Sequence, residues 1–173
     1  MVFRYASLII IAASLITSAV ADDRSDKPRQ VAPSRLKGVR CIVEPSREVS
    51  SHFKGVYKQA WLFFSSDQAL QAFQATPEKF EAFANHQLVR TGQYVQHACP
   101  LSGETPDEDF ATIRVGGVTL QVLCPDCAKE IASETLAEQI EMLFDAEGFK
   151  LGKFAPKRKP PLSNPSDGTA VRR

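Results

Sequence analysis

Four cysteines carry the most specific chemistry in this chain, and three of them are spaced as metal ligands are. Cys124 and Cys127 form a C-x-x-C pair, and Cys99 precedes them in the same half of the sequence. A C-x-x-C turn directs two thiolates at one ion, and a distant third thiolate closes the site. Soft thiolate donors suit Zn(II) or Cu(I). We therefore expect Cys99, Cys124 and Cys127 to bind zinc or copper.

The fourth ligand of such a site is left open by the sequence. A closed zinc site has four ligands. His97 lies two residues before Cys99, and Cys41 is the remaining cysteine. Histidine is a common metal ligand, although a lone histidine is more often a surface or hydrogen-bonded residue. We expect His97 or Cys41 to complete the set, and His52 and His86 are the other options.

Two alternatives use the same cysteines without a metal. An even number of cysteines in a small exported protein is typical of disulfides, here Cys124–Cys127 and Cys41–Cys99 in a protein-interaction module. A C-x-x-C pair near a helix start also suits thiol–disulfide exchange, because the helix terminus lowers the pKa of the first thiol. That chemistry usually occurs in a βαβ context, which the sequence does not supply. We expect a non-enzymatic protein.

The first 21 residues have the features of a cleavable signal peptide. A short apolar stretch, residues 6–20, ends at the A-x-A site Ala19-Val20-Ala21, as in secretory signals. A bilayer span needs roughly 20 apolar residues, so the stretch is short for an anchor. We expect an exported protein, periplasmic or extracellular, with no stable membrane span after cleavage.

Charge divides the remaining chain into an acidic centre with basic flanks. The net charge is +3 over residues 22–40, −9 over 41–147 and +6 over 148–173. The flanks are rich in proline and poor in apolar residues, a composition typical of disorder. We expect a disordered linker at 22–40 and a disordered basic tail at 149–173. The overall charge of +1 does not favour nucleic acid as a partner.

The centre contains an internal repeat with a period of 58 residues. A shift of this length places Cys41 on Cys99 and residues 60–64 on 118–122, while Ser66 and Ala69 fall on the C-x-x-C thiols. In the second copy, two β-rich segments flank Gly116-Gly117, which is a strong hairpin signal, and an apolar helical pattern follows. We expect an α+β fold of two tandem β-hairpin-plus-helix units packed together, at 41–95 and 96–148.

Helix starts are indicated by capping-box patterns. Thr135-x-x-Glu138 predicts a helix that begins after Thr135 in the second copy. Ser65-x-x-Gln68 predicts a helix that begins after Ser65 in the first.

The second copy resembles the YHS domain family and the related TRASH-type metal-binding modules. CPLSGE at 99–104 is similar to the opening of the family pattern, and VGGVTLQVLCPDCAKEI at 115–131 to its middle. The first copy is similar through CIVEP at 41–45 and the PEKF ending at 77–80, and is degenerate because it lacks two thiols. The resemblance implies metal handling, metal sensing or a structural metal, with a metal ion and a protein partner as binding partners.

Overall fold

A computed structural model describes residues 28–106 and 110–157 of the chain. The strands are β1 Ser50–Tyr57, β2 Ala60–Phe64, β3 Tyr94–Val95, β4 Ala111–Val115, β5 Val118–Val122 and β6 Ala155–Pro156. The helices are α1 Asp67–Ala75, α2 Glu81–Arg90, α3 Pro125–Ser133, α4 Leu136–Phe144 and α5 Ala146–Leu151, with single 3-10 turns at Pro33–Arg35 and Pro77–Phe80. The predicted signal peptide, 1–21, lies outside the described residues, as do 22–27, 107–109 and 158–173.

The described chain is mixed α and β, with five α-helices and small antiparallel sheets of two strands each. β1 pairs with β2, β4 with β5, and β3 with β6. Two-residue turns close both hairpins, at Lys58-Gln59 and at Gly116-Gly117, and all four residues have positive φ. This conformation is what a type I′ hairpin turn requires. Glycine adopts it without strain, whereas Lys58 and Gln59 adopt it against their side-chain preference.

The bounds of the central elements follow the 58-residue spacing. β2 and β5 begin at Ala60 and Val118, and both are five residues long. α1 and α3 begin at Asp67 and Pro125, and both are nine residues long. Each hairpin therefore leads into a helix at the same offset, although element bounds do not test whether these segments are YHS-like units.

One hydrophobic core unites the two hairpin–helix segments. Its most deeply buried apolar residues include Leu62, Phe64, Leu88, Leu120, Val122, Leu143 and Phe144. α2 packs against α4, and the buried Asn85 amide donates to the Phe144 carbonyl over 2.8 Å. Both segments thus contribute to the same interior.

Glutamine side chains complete the free edges of the hairpins. Gln87 accepts from the Phe63 N–H over 2.8 Å and donates to the Phe63 carbonyl over 3.0 Å. Gln93 makes the same pair of bonds with Trp61 of β2, and Gln96 makes it with Gln121 of β5. An unpaired strand edge exposes backbone donors and acceptors, and these amides satisfy them where no third strand does.

The basic flanks are part of the fold over more of their length than expected. The predicted linker 22–40 is wrong in its described part, because Leu36 and Val39 are buried and Arg40 forms a β-bridge with Glu48. The predicted tail 149–173 is wrong up to β6, because Phe149 and Phe154 are buried and stack with ring centroids 4.8 Å apart. Few apolar residues are present there, but Leu36, Val39, Phe149 and Phe154 are buried.

No helix in the described ranges combines the length and apolar character needed to cross a membrane.

Candidate functional site

Cys99 begins a tight loop that surrounds its own sulfur with hydrogen-bond donors. The loop is closed by the Cys99 N–H on the Glu104 carbonyl, 2.7 Å, and by the Gly103 N–H on the Cys99 carbonyl, 2.8 Å. Cys99 is fully buried, and burial raises the pKa of its thiol. Hydrogen bonds from the Ser102 hydroxyl and from the N–H groups of Leu101, Ser102 and Leu123 outweigh burial and hold that pKa below its ordinary value. The loop therefore favours a thiolate.

Cys124 and Cys127 lie at the start of α3 and are joined by a disulfide. Cys124 is the N-cap, and its sulfur accepts the Cys127 N–H over 3.1 Å. Pro125 occupies the first helical position, where its missing N–H costs nothing. The two Cα atoms are 5.3 Å apart, within the usual range for a disulfide. This pair is the C-x-x-C disulfide of the non-metal alternative.

The Cys99 loop lies against the start of α3. Leu123, whose backbone N–H is one of the groups that lower the pKa of the Cys99 thiol, is the residue immediately before Cys124. Even so, no three His, Cys, Asp or Glu side chains are grouped to hold a metal ion within 28–106 and 110–157. The Cys124 and Cys127 sulfurs are also bonded to each other, so as a disulfide neither is a thiolate ligand.

His97 and Cys41, two candidates for the fourth ligand, lie in different environments. His97 is exposed, and its backbone N–H donates to the Gly152 carbonyl over 3.0 Å. Cys41 is buried in the first hairpin–helix segment and is a free cysteine, as is Cys99. The predicted Cys41–Cys99 disulfide is therefore wrong. Each of these cysteines instead begins a loop of its own, with the Cys41 N–H bonded to the Arg47 carbonyl.

We call the place where a cysteine loop meets the following helix start a corner. The first corner, between the Cys41 loop and α1, is closed by oxygen atoms, whereas the second, between the Cys99 loop and α3, contains sulfur. Glu44 follows Cys41 by three residues, as Ser102 follows Cys99. Its carboxylate accepts hydrogen bonds from the hydroxyls of Ser65 and Ser66. The Ser65 hydroxyl is the main cause of a Glu44 pKa below the ordinary value. Ser66 also caps α1 by accepting the Ala69 N–H over 3.1 Å.

Glu44 is a residue of this corner that the sequence pattern alone did not single out. Its position three residues after Cys41 matches Ser102 in the repeat, and that match is the signal that could have identified it. Comparisons with protein-family models, with curated proteins and with solved structures found no match. The assignment to a YHS-like family therefore depends on the residues of this chain.

Proposed function

We propose that this protein is an exported, non-enzymatic metal-binding module that holds one zinc or copper ion when its C-x-x-C pair is reduced. Cys99, Cys124 and Cys127 are the ligands. The observation that carries the proposal is a buried, free Cys99 in the same segment as Cys124 and Cys127, which lie together at the start of α3. Hydrogen bonding also lowers the pKa of the Cys99 thiol.

The protonation chemistry supports this assignment. Metals bind the thiolate form of cysteine, so affinity rises when the thiol pKa falls. Hydrogen bonds lower it at Cys99. Once reduced, Cys124 and Cys127 would gain a similar effect from the partial positive charge at the start of α3. Three thiolates of this kind prefer soft or borderline ions such as Cu(I) and Zn(II).

In this proposal the two hairpin–helix segments are tandem YHS-like copies with different roles. The segment 96–148 binds the metal. The segment 41–95 is a non-binding copy, because Ser66 and Ala69 stand where the C-x-x-C thiols would be. The metal is handled, sensed or used to stabilise a surface that binds a protein partner. A dithiol reductant supplies the two electrons and two protons that convert the disulfide to two thiols, and is itself oxidised to a disulfide. Reoxidation of the pair by a disulfide oxidant removes two of the three ligands and would release the ion.

Metal content combined with a free-thiol count tests the proposal. The mature chain is reduced without oxygen, loaded with Zn(II) or Cu(I), desalted and measured for bound metal. We expect one ion per chain, loss of binding in Cys124→Ser, and retained binding in the matched control Cys41→Ser. Binding that persists in Cys124→Ser, or a fully reduced wild type that binds neither ion, would contradict it.

A thiol–disulfide exchange protein is the second candidate. The Cys124–Cys127 disulfide at a helix start, with a buried thiol of lowered pKa next to it, favours this reading. In exchange, a thiolate attacks one sulfur of a disulfide and the other sulfur leaves as a thiolate. A reduced, metal-free protein that converts oxidised glutathione to glutathione rapidly, and binds no metal, would favour exchange.

A further inference from the structure

A second site lies away from the cysteine pair, where α2 and α4 meet the segment 38–45. The cavity has a volume of about 430 Å³ and its wall is mainly apolar. Its apolar wall includes Ile42, Phe83, Leu136 and Ile140. Leu136 is 53% exposed although it is a large apolar side chain. Apolar cavities of this size between helices are typical of small-molecule sites.

The polar groups of this cavity are few and are cationic or neutral. Arg40 and Arg90 line it, and neither forms an ion pair with a carboxylate of the described residues. Among the described residues that line the cavity, none is acidic. The field inside it therefore favours a negatively charged occupant.

His86 adds a hydrogen-bonding group to the same wall. Its Nε2 lies 3.2 Å from the Val115 carbonyl oxygen. Because a carbonyl only accepts, Nε2 is the protonated nitrogen and Nδ1 is left as an acceptor in the neutral ring. Burial, together with the nearby Arg90 charge, lowers the pKa of His86 to about 4, so the ring is neutral near pH 7. The positive charge of the site thus comes from arginine.

We infer that this cavity binds a small organic anion with an apolar aromatic or aliphatic body, with its carboxylate or sulfonate directed to Arg90. Guanidinium groups bind such oxyanions through charge-assisted hydrogen bonds. The apolar walls accept the body of the ligand. This site uses none of Cys99, Cys124 and Cys127, so it is independent of the proposed metal site.

Fluorescence titration of the mature chain with anilinonaphthalene sulfonate tests the site. We expect saturable binding of one probe molecule per chain. Ala137 lines the cavity and is exposed, so Ala137→Phe should fill the cavity and weaken binding at least about tenfold through lost apolar contact. Ala72→Phe, an exposed position on α1 outside the cavity, is the matched control and should leave binding unchanged.

The charge of the ligand is tested with a neutral analogue. Arg90→Gln should weaken the sulfonate probe about tenfold while leaving phenylnaphthylamine, which lacks the sulfonate, unaffected. Matched far-ultraviolet circular dichroism and melting curves confirm that each variant is folded. Equal probe binding by Ala137→Phe and wild type would overturn the inference. Gel filtration that shows self-association, together with release of the probe when the chains associate, would also overturn the inference. The occupant of the cavity would then be a second copy of the chain.

Discussion

The two loop–helix corners of this protein have the same backbone plan and different chemistry. In the first, the Glu44 carboxylate joins the Cys41 loop to Ser66 at the start of α1. In the second, the Cys99 loop meets Cys124 at the start of α3 through the Leu123 N–H. Since the first corner forms without a C-x-x-C pair, the fold does not require thiols at these positions. The comparison teaches that the same loop-and-helix arrangement forms with Ser66 or with Cys124 as the cap of the helix.

Exchanging the residues of the two corners should have the largest effect. Cys124→Ser combined with Cys127→Ala gives the second corner the residues of the first. We expect metal affinity to fall at least about 100-fold, because two of three thiolate ligands are lost. Under reducing conditions, where wild type has no disulfide to lose, the free energy of unfolding should change by about 1 kcal/mol or less, as for substitutions that leave the core intact. Metal content and urea unfolding measure the two quantities.

The reverse exchange sharpens the same comparison. Ser66→Cys combined with Ala69→Cys supplies the first corner with three thiols, including Cys41. The reduced variant should bind a second metal ion per chain. A stoichiometry that stays at one would show that the Cys41 loop differs from the Cys99 loop in more than its side chains.

The hydrogen bonds that glutamines make to the strand edges differ in burial between the two segments. Gln87→Ala removes both hydrogen bonds to the buried backbone of Phe63. We expect the free energy of unfolding to fall by about 3 kcal/mol, because two buried polar groups lose their partners. Gln96→Ala is the matched variant on the exposed edge at Gln121, where water replaces the amide and the loss should stay below about 1 kcal/mol. Equal losses in urea unfolding would contradict this ranking.

His86 lies between the segments and should give the fold an acid-sensitive contact. The unfolded chain takes up a proton at the ordinary His pKa of 6.5, whereas the folded chain does so only at about 4. Stability should therefore fall as the pH drops from 6.5 to 4, by at most about 3 kcal/mol. His86→Gln keeps a donor for the Val115 carbonyl and removes the titration. Its unfolding free energy should be flatter over this range than that of wild type.

The smallest expected effect concerns the caps. Ser66→Ala removes the hydroxyl that accepts the Ala69 N–H, and N-cap losses of this kind cost about 1 kcal/mol. Under reducing conditions Cys124→Ala removes only a thiol, which is a weaker acceptor, so its cost should be smaller. Thermal unfolding of both variants in reductant measures the difference, and a larger cost for Cys124→Ala would reverse the comparison.

Local signals predicted much of the hairpin–helix architecture. The Gly116-Gly117 turn and the Thr135–Glu138 capping box are found as expected, because both depend on neighbours in the sequence. The first helix is capped by Ser66, one residue after the predicted Ser65. Ser65 and Ser66 each carry a hydroxyl that could cap the helix. Both hydroxyls also donate to the distant Glu44 carboxylate.

Features that depend on distant partners were not predictable in this way. Leu36, Phe149 and Phe154 are buried, and Phe149 packs against the ring of Tyr94, far along the chain. Flank composition averages over such single residues. The glutamine pairings join positions 24 to 32 residues apart, and no local pattern marks them. The assignment of Cys99, Cys124 and Cys127 to one site stays a prediction from spacing, and spacing does not indicate the redox state of the C-x-x-C pair.

X-ray absorption spectroscopy of the reduced, metal-loaded protein tests the central proposal most directly, because it counts the atoms bound to the ion. We predict three sulfur ligands at about 2.3 Å around zinc, and one sulfur ligand fewer in Cys99→Ser. A spectrum with only nitrogen and oxygen neighbours, or one unchanged by Cys99→Ser, would contradict the assignment of Cys99, Cys124 and Cys127 to a single metal site.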